Sequence, residues 1–215
     1  MTPEERIDRR IVRTRESIRD AMIDLIEEIG FESISIKDIA ERANINRGTF
    51  YLHYHDKFDL LDQTEKEIIE DLKNILMKEI TWGFEDYLTN NQPLPVIVTI
   101  FKYIQSKSRI MHAILGLKAN PNFQRRMKKA IENNLEQLGL YISRKNAELT
   151  VPPEYLMSYI AAAHMGVIQA WLETGCKESP QEMAVILSRL SVQGPLRAIR
   201  EQTGKNEPSV KPVQP

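Results

Sequence analysis

Between Ser33 and Leu61 the chain reads "SISIKDIAERANINRGTFYLHYHDKFDLL", two short helical patterns held apart by three residues that favour a turn. No other stretch restricts the fold so tightly. Ser35 is an N-cap by type, with Asp38 three residues on, where Glu or Gln would be the stronger partner. Ile36, Ile39, Ala40 and Ala43 follow at helical spacing. Asn44, Ile45 and Asn46 read as the turn. Asn46 caps a second short helix, Arg47 to His53; "HYHDK" ends it, and Asp56 caps the next helix from Lys57. Helices this short cannot bury a face alone, so they must share a core. Ile36, Ile39, Ala40, Ile45, Phe50 and Leu60 supply it, and the small Ala40 and Ala43 let the two helices approach closely.

The remainder is also helical in pattern. From Thr14 to Ile29, apolar residues at Ile18, Met22, Leu25, Ile26 and Ile29 trace one face, and Gly30 suits the C-terminus. The helix from Lys57 carries Phe58, Leu61, Ile68, Ile69, Leu72, Ile75 and Leu76. Organisation changes near residue 80. Loops fall by composition at Thr89–Pro95, around Pro121, and before Glu154. Two helices then run from Pro153 to Thr174, ended by Gly175, and from Ser179 to about Ser191, with Ser179-Pro180 as N-cap and first-turn pair. No stretch alternates with the period of a strand. The fold class is therefore all-α, an N-terminal three-helix unit joined by a long helix to a larger helical body. The tail "EQTGKNEPSVKPVQP" is polar and proline-containing, and reads as disordered.

Composition narrows the function. Net charge is -1, so nucleic-acid binding must come from a local patch. One cysteine, Cys176, allows no internal disulfide and fits a reducing cytoplasm. The charged N-terminus does not read as a signal peptide. The most apolar run, "YIAAAHMGVIQAWL", holds His164 and Gln169 and is too short to span a bilayer. His53, His55, Asp56 and Asp59 are metal-ligating types, but His53 and His55 lie two apart across a helix end, where one helical face needs three or four. No nucleophile elbow, phosphate loop or dinucleotide fingerprint occurs. No enzyme activity, metal or cofactor is expected.

Three short helices with a tight turn describe a helix-turn-helix, and the residues fit DNA. On the second helix of the motif, Gly48 lets the backbone come close. Arg47 and Thr49 offer a guanidinium, a hydroxyl and a methyl to base edges. Tyr51 and His53 suit phosphate oxygens. Lys57, at a helix start, combines an ammonium with free N–H groups. Ser35 and Ile36, opening the first helix, and Asn46, opening the second, are counted on the same DNA-facing surface. Upstream, Arg6, Arg9, Arg10, Arg13, Arg15 and Arg19 exceed Glu4, Glu5, Asp8 and Glu16 by two, on what reads as a mobile arm and a helix start.

The segment resembles the DNA-binding part of the TetR family of bacterial transcriptional regulators. The shared positions are Ile39-Ala40, Ala43, Ile45-Asn46, Gly48-Thr49, Tyr51, His53-Tyr54, Lys57 and Leu60. Asn46 stands where Ser is commoner and Tyr54 where Phe is usual; cap and ring are kept. "YIAAAHMGVIQAWLETGCKESPQEMAVIL" is similar to the C-terminal domain of many Gram-positive members. The resemblance implies a cytoplasmic homodimer, held by the last two long helices, on an inverted-repeat double-stranded DNA operator, with no membrane association. It implies a repressor released by a small apolar or aromatic effector; the alternative is a body controlled by a protein partner. The domains expected are 1–60 for DNA binding (helix-turn-helix about 35–54), 61–200 for regulation and dimerisation, and the tail 201–215. Among Trp82, Phe84, Tyr87, Tyr103, Phe123, Met127 and other aromatics and methionines, the favoured ligand-pocket residues are Phe101, Met111, Tyr155, Tyr159, His164 and Trp171.

Overall fold

The computed structural model of the chain describes residues 3–79, 93, 95–116, 123–133 and 151–194. The described residues form helices and turns, with no strand among them. The expectations for Trp82, Phe84, Tyr87, the loops near 89–92 and 117–122 and the tail 201–215 lie outside the described residues.

Helix α1 (Pro3–Ile29) starts much earlier than the apolar stripe from Ile18 predicts. The upstream arginines are therefore carried on a helix from Pro3 onward, not on an arm. Gly30, at φ 79°, ends it and leads through a 3-10 turn (Phe31–Ser33) to α2 (Ile36–Arg42) and α3 (Arg47–Tyr51). Helix α4 (Lys57–Glu79) crosses from this N-terminal head into the body. The body contains α5 (Pro95–Ser106), α6 (Ser108–Leu115), α7 (residues 123–133), α8 (Pro153–Glu173) and α9 (Pro180–Gln193). The expected boundary at residue 60 thus falls inside α4.

Head and body share one apolar core, which runs from Ile18 and Met22 through Ile39, Phe50 and Leu60 to Met111, Trp171 and Leu187. Helix α1 packs on both α2 and α6. A charged cluster ties that junction: Arg42 of α2 holds Glu28 of α1 through two hydrogen bonds at 2.7 and 2.8 Å, and Arg109 of α6 pairs with Asp24 of α1. On the other side of α4, the buried Glu65 and its neighbour Asp62 both pair with Arg126 of α7. The last body helix starts with the Ser179-Pro180 cap that the sequence predicts. Ser179 and Glu182 form a reciprocal capping box at α9, and Pro180 occupies its first turn.

Candidate nucleic-acid interface

The geometry of the head is set by short-range bonds. At α2, Ser35 Oγ accepts from the Asp38 N–H (3.2 Å) and the Asp38 carboxylate accepts from the Ser35 N–H (2.8 Å). The aspartate thus completes the box despite its shorter side chain. Ser35's hydroxyl and N–H hold Asp38 below the usual carboxylate range. Ser35 and Asp38 thus cap each other, with Ile36 half-buried beside them.

Ala43 closes α2. Asn44 takes φ 52°, a left-handed conformation that asparagine tolerates better than most residues. Asn46 Oδ1 then accepts from the Thr49 N–H (2.7 Å) and from Thr49 Oγ1 (3.1 Å), which fixes the start of α3. The Thr49 hydroxyl is thereby engaged as a donor and keeps only its acceptor capacity. Helix α3 ends at Tyr51, two residues short of the predicted His53; Leu52 is the C-cap, still in helical conformation, and the Leu52, His53 and Tyr54 N–H groups donate back into the helix.

Phe50 is fully buried and points α3 into the core. At about 100° per residue, Gly48 and Leu52 lie opposite it, with Arg47 and Tyr51 on one flank and Thr49 on the other. Arg47 and Gly48 are exposed, and Tyr51 and Leu52 are 51% and 81% exposed. His53 is half-buried, its ring 6.3 Å from that of the buried Tyr54. The fold thus brings Arg47, Gly48, Tyr51 and Leu52 to the exposed side of α3, with His53 at its edge.

Lys57 does not. Its Nζ donates to the carbonyls of Phe31 (3.1 Å), Glu32 (2.8 Å) and Ile34 (2.9 Å), and its ammonium sits 5.0 Å from the centre of the Phe31 ring. Three carbonyls satisfy all three donors. Lys57 therefore closes the 3-10 turn onto α4; the phosphate role expected of it is corrected. Asp56 performs its expected cap, accepting from the Asp59 N–H at 2.8 Å.

The upstream arginines divide. Arg15 donates to Tyr54 Oη (3.3 Å) and to Gln63 Oε1 (2.7 Å), and Arg19 pairs with Glu67 at 2.5 Å, so both pin α1 to α4. The hydrogen bond to Tyr54 raises the pKa of Arg15. Arg9, Arg10 and Arg13 instead line an open cleft of about 410 Å³, whose far wall is Ala43, Asn44 and Ile45, the turn leading into α3. This basic cleft beside the recognition helix is a finding of the fold, since residues 9–13 and 43–45 meet only through the packing of α1 on α2.

In the body, an apolar cavity of about 70 Å³ lies between α4, α5, α6, α7 and α8, lined by Ile69, Leu72, Leu76, Ile104, Met111, Met127, Met165 and others. Of the six expected pocket residues only Met111 lines it. Phe101 and Trp171 stack edge-to-face 5.1 Å apart in the core, with the indole N–H donating to Glu178 O at 3.1 Å. Tyr155 and Tyr159 are 70% and 59% exposed, on the outer face of α8. His164 faces α9, its Nε2 3.1 Å from Ser191 Oγ, and burial lowers its pKa to about 4, so it is a neutral, partnered histidine. Three of the lining residues, Ile69, Leu72 and Leu76, were legible as one face of α4, but only the tertiary packing shows that this face meets a gap.

A helix-turn-helix with an exposed recognition face, carried on a helical body, defines a DNA-binding regulator. A model described as "Bacterial regulatory proteins, tetR family" matches residues 18–64, and one described as "Transcriptional regulator C-terminal region" matches residues 91–193. The chain belongs to the TetR family of transcriptional regulators. It is 26% identical over 169 residues to the uncharacterized HTH-type transcriptional regulator YxbF of Bacillus subtilis (strain 168), a match covering 78% of this chain and 42% of that protein. The chain thus spans less than half the length of that relative. Two solved structures share the fold. The fatty acid degradation regulator FadR from Bacillus halodurans has TM-score 0.65 at 18% identity, covering 85% of this chain and 96% of that one. FadR from Bacillus subtilis in complex with stearoyl-CoA has TM-score 0.61 at 16% identity, covering 83% and 98%. No helix among the described residues is long and apolar enough to cross a membrane.

Proposed function

We propose that the protein is a homodimeric repressor that grips an inverted-repeat operator with two copies of α3 and leaves it when a small apolar effector enters the body. The observation that carries the DNA half is the exposed face of α3 beside the arginine cleft. Arg47 suits the acceptor edge of guanine, and the Tyr51 hydroxyl and His53 ring suit phosphates. Arg9, Arg10 and Arg13 suit the backbone flanking the half-site. Half-sites are expected about one helical turn apart or a multiple of it, ~34–36 Å. Selection of bound duplexes from a random pool at near-physiological salt tests this. An inverted repeat is the expected result; bulk, salt-sensitive binding with no shared sequence overturns base reading.

The dimer rests on α8, which has two faces. Met157, Ala161, Met165 and Leu172 are buried, while Tyr155, Tyr159, Ala162, Gly166 and Ala170 form an exposed stripe of small and aromatic residues suited to close helix contact. A Cβ added at Gly166 meets no atom within 4 Å in the single chain. Gly166→Leu is therefore expected to leave the single chain folded and to disrupt the dimer. Sedimentation showing the variant still dimeric removes α8 from the seam.

The effector half rests on α4, which carries the head at one end and lines the apolar cavity at the other. A ligand that prefers one placement of α4 shifts the equilibrium between two spacings of the heads by no more than its differential affinity for the two states. The lining favours an aliphatic group, and the stearoyl-CoA bound by the structurally similar FadR makes acyl-CoA esters the first compounds to titrate against operator complex. A second reading has one observation in its favour. At about 70 Å³ the cavity is far smaller than the ~300–1,000 Å³ of ordinary ligand sites, which fits control by a protein partner. Release by acyl-CoA esters supports the first reading. Failure of every apolar ligand, with release by a purified partner protein, supports the second.

A further inference from the structure

We infer that Leu52 is a specificity-determining residue that reads the C5-methyl group of thymine in the major groove. This rests on α3 being the recognition helix. Leu52 is the most exposed of the large apolar side chains among the described residues, at 81%. Its position is not peripheral. It stands opposite the buried Phe50, four residues after Gly48, and its own N–H donates to Gly48 O at 3.2 Å, so the helical turn is intact beneath it.

The chemistry of the ridge points one way. Gly48 contributes no side chain, and a Cβ there would stand 3.1 Å from Asn46 Oδ1, the atom that caps the helix. Thr49 donates its hydroxyl hydrogen bond to that same oxygen, which leaves it no donor for a base edge. Asn46 Oδ1 is engaged twice. The outermost side chain of the helix is thus apolar, with Arg47 and Tyr51 on one flank and the half-buried Thr49 and His53 on the other. In the major groove the apolar feature that distinguishes one base from the others is the thymine methyl. A hydrogen-bonding edge set against Leu52 would lose its water with no partner in return.

The test is a methyl scan. Duplexes selected by the full chain are resynthesised with each thymine replaced in turn by deoxyuridine, which keeps every hydrogen-bonding edge and lacks only the methyl. Affinities are measured for the unaltered protein and for Leu52→Ala. Burying one methyl corresponds to about a three- to five-fold change in affinity. The expected result is such a loss at one or two positions per half-site for the unaltered protein, and none at those positions for Leu52→Ala. Thermal melting of Leu52→Ala should match the unaltered chain, because the side chain is mostly exposed. Specific binding with no sensitivity to deoxyuridine, or a penalty that persists in Leu52→Ala, overturns the assignment and leaves base reading by α3 standing. Recovery of no common sequence overturns both.

Discussion

In the head, the caps that start α2, α3 and α4 join residues three apart: Ser35 with Asp38, Asn46 with Thr49, Asp56 with Asp59. The body has one such cap, Ser179 with Glu182 at α9, but its helices are tied to one another and to the head by bonds between residues tens apart: Arg126 with Asp62, Gln169 Nε2 with Leu115 O, Arg109 with Asp24. The first kind can be read from spacing and residue type, because the chain itself holds the partners close. The second depends on which helix faces meet. The same rule explains the exceptions inside the head. Lys57 and Arg15 were expected, with the other cations, to face DNA. Their partners, Ile34 and Gln63, lie 23 and 48 residues away and are brought close only by the packing of α1, the 3-10 turn and α4. A cation's type says that it seeks oxygen, not whether the oxygen is a phosphate or a backbone carbonyl.

The contrast is one of bonding range, not of separate stability, since a single core spans both regions. Phe50→Ala tests that most severely. Emptying a fully buried aromatic site should cost about 3–5 kcal/mol. Calorimetry should show one transition shifted as a whole. A head that melts apart from an unshifted body would break the description of a shared core.

Lys57→Met keeps the stem against Phe31 and removes the ammonium, which leaves three carbonyls without their donor. The expected loss is about 1–3 kcal/mol of stability. The dependence of operator affinity on salt should stay the same. A slope reduced by about one would restore Lys57 to the phosphate contacts and weaken the contrast drawn above.

His164 tests the body by pH. Its folded-state pKa of about 4 lies below the ordinary value of 6.5, so between these values the unfolded chain takes up the proton that the folded chain refuses. Stability from this residue is fully present above pH ~6.5 and is lost as pH falls toward 4. About 1–2 kcal/mol should disappear between pH 6.5 and 5, after discounting for partial exposure. His164→Gln should flatten that part of the profile, as followed by denaturant unfolding. An unchanged profile would mean that the histidine is hydrated in the folded protein.

The smallest effect is expected at Asn46. Replacing it by alanine should cost about 1 kcal/mol through loss of the cap. It also frees the Thr49 hydroxyl, so the preferred operator sequence should change more than stability does. A variant that selects the same duplexes as the unaltered protein would separate the cap from the reading surface.

Local signals in the sequence determined the all-α class, the helix-turn-helix, its caps, and the starts of α8 and α9, because each depends on neighbours along the chain. The apolar periods of α1 and α4 were legible for the same reason. Tertiary structure alone decided the rest. It placed Arg9, Arg10 and Arg13 against the turn before α3 while turning Arg15 and Arg19 inward. It put Phe101 and Trp171 in the core, Tyr155 and Tyr159 on an open face, and Met111 beside a cavity. An aromatic or a methionine carries the same preference for apolar surroundings in all three places. Which surroundings it meets is fixed by the packing of helices distant in sequence, and a single period along one helix carries no information about its neighbour.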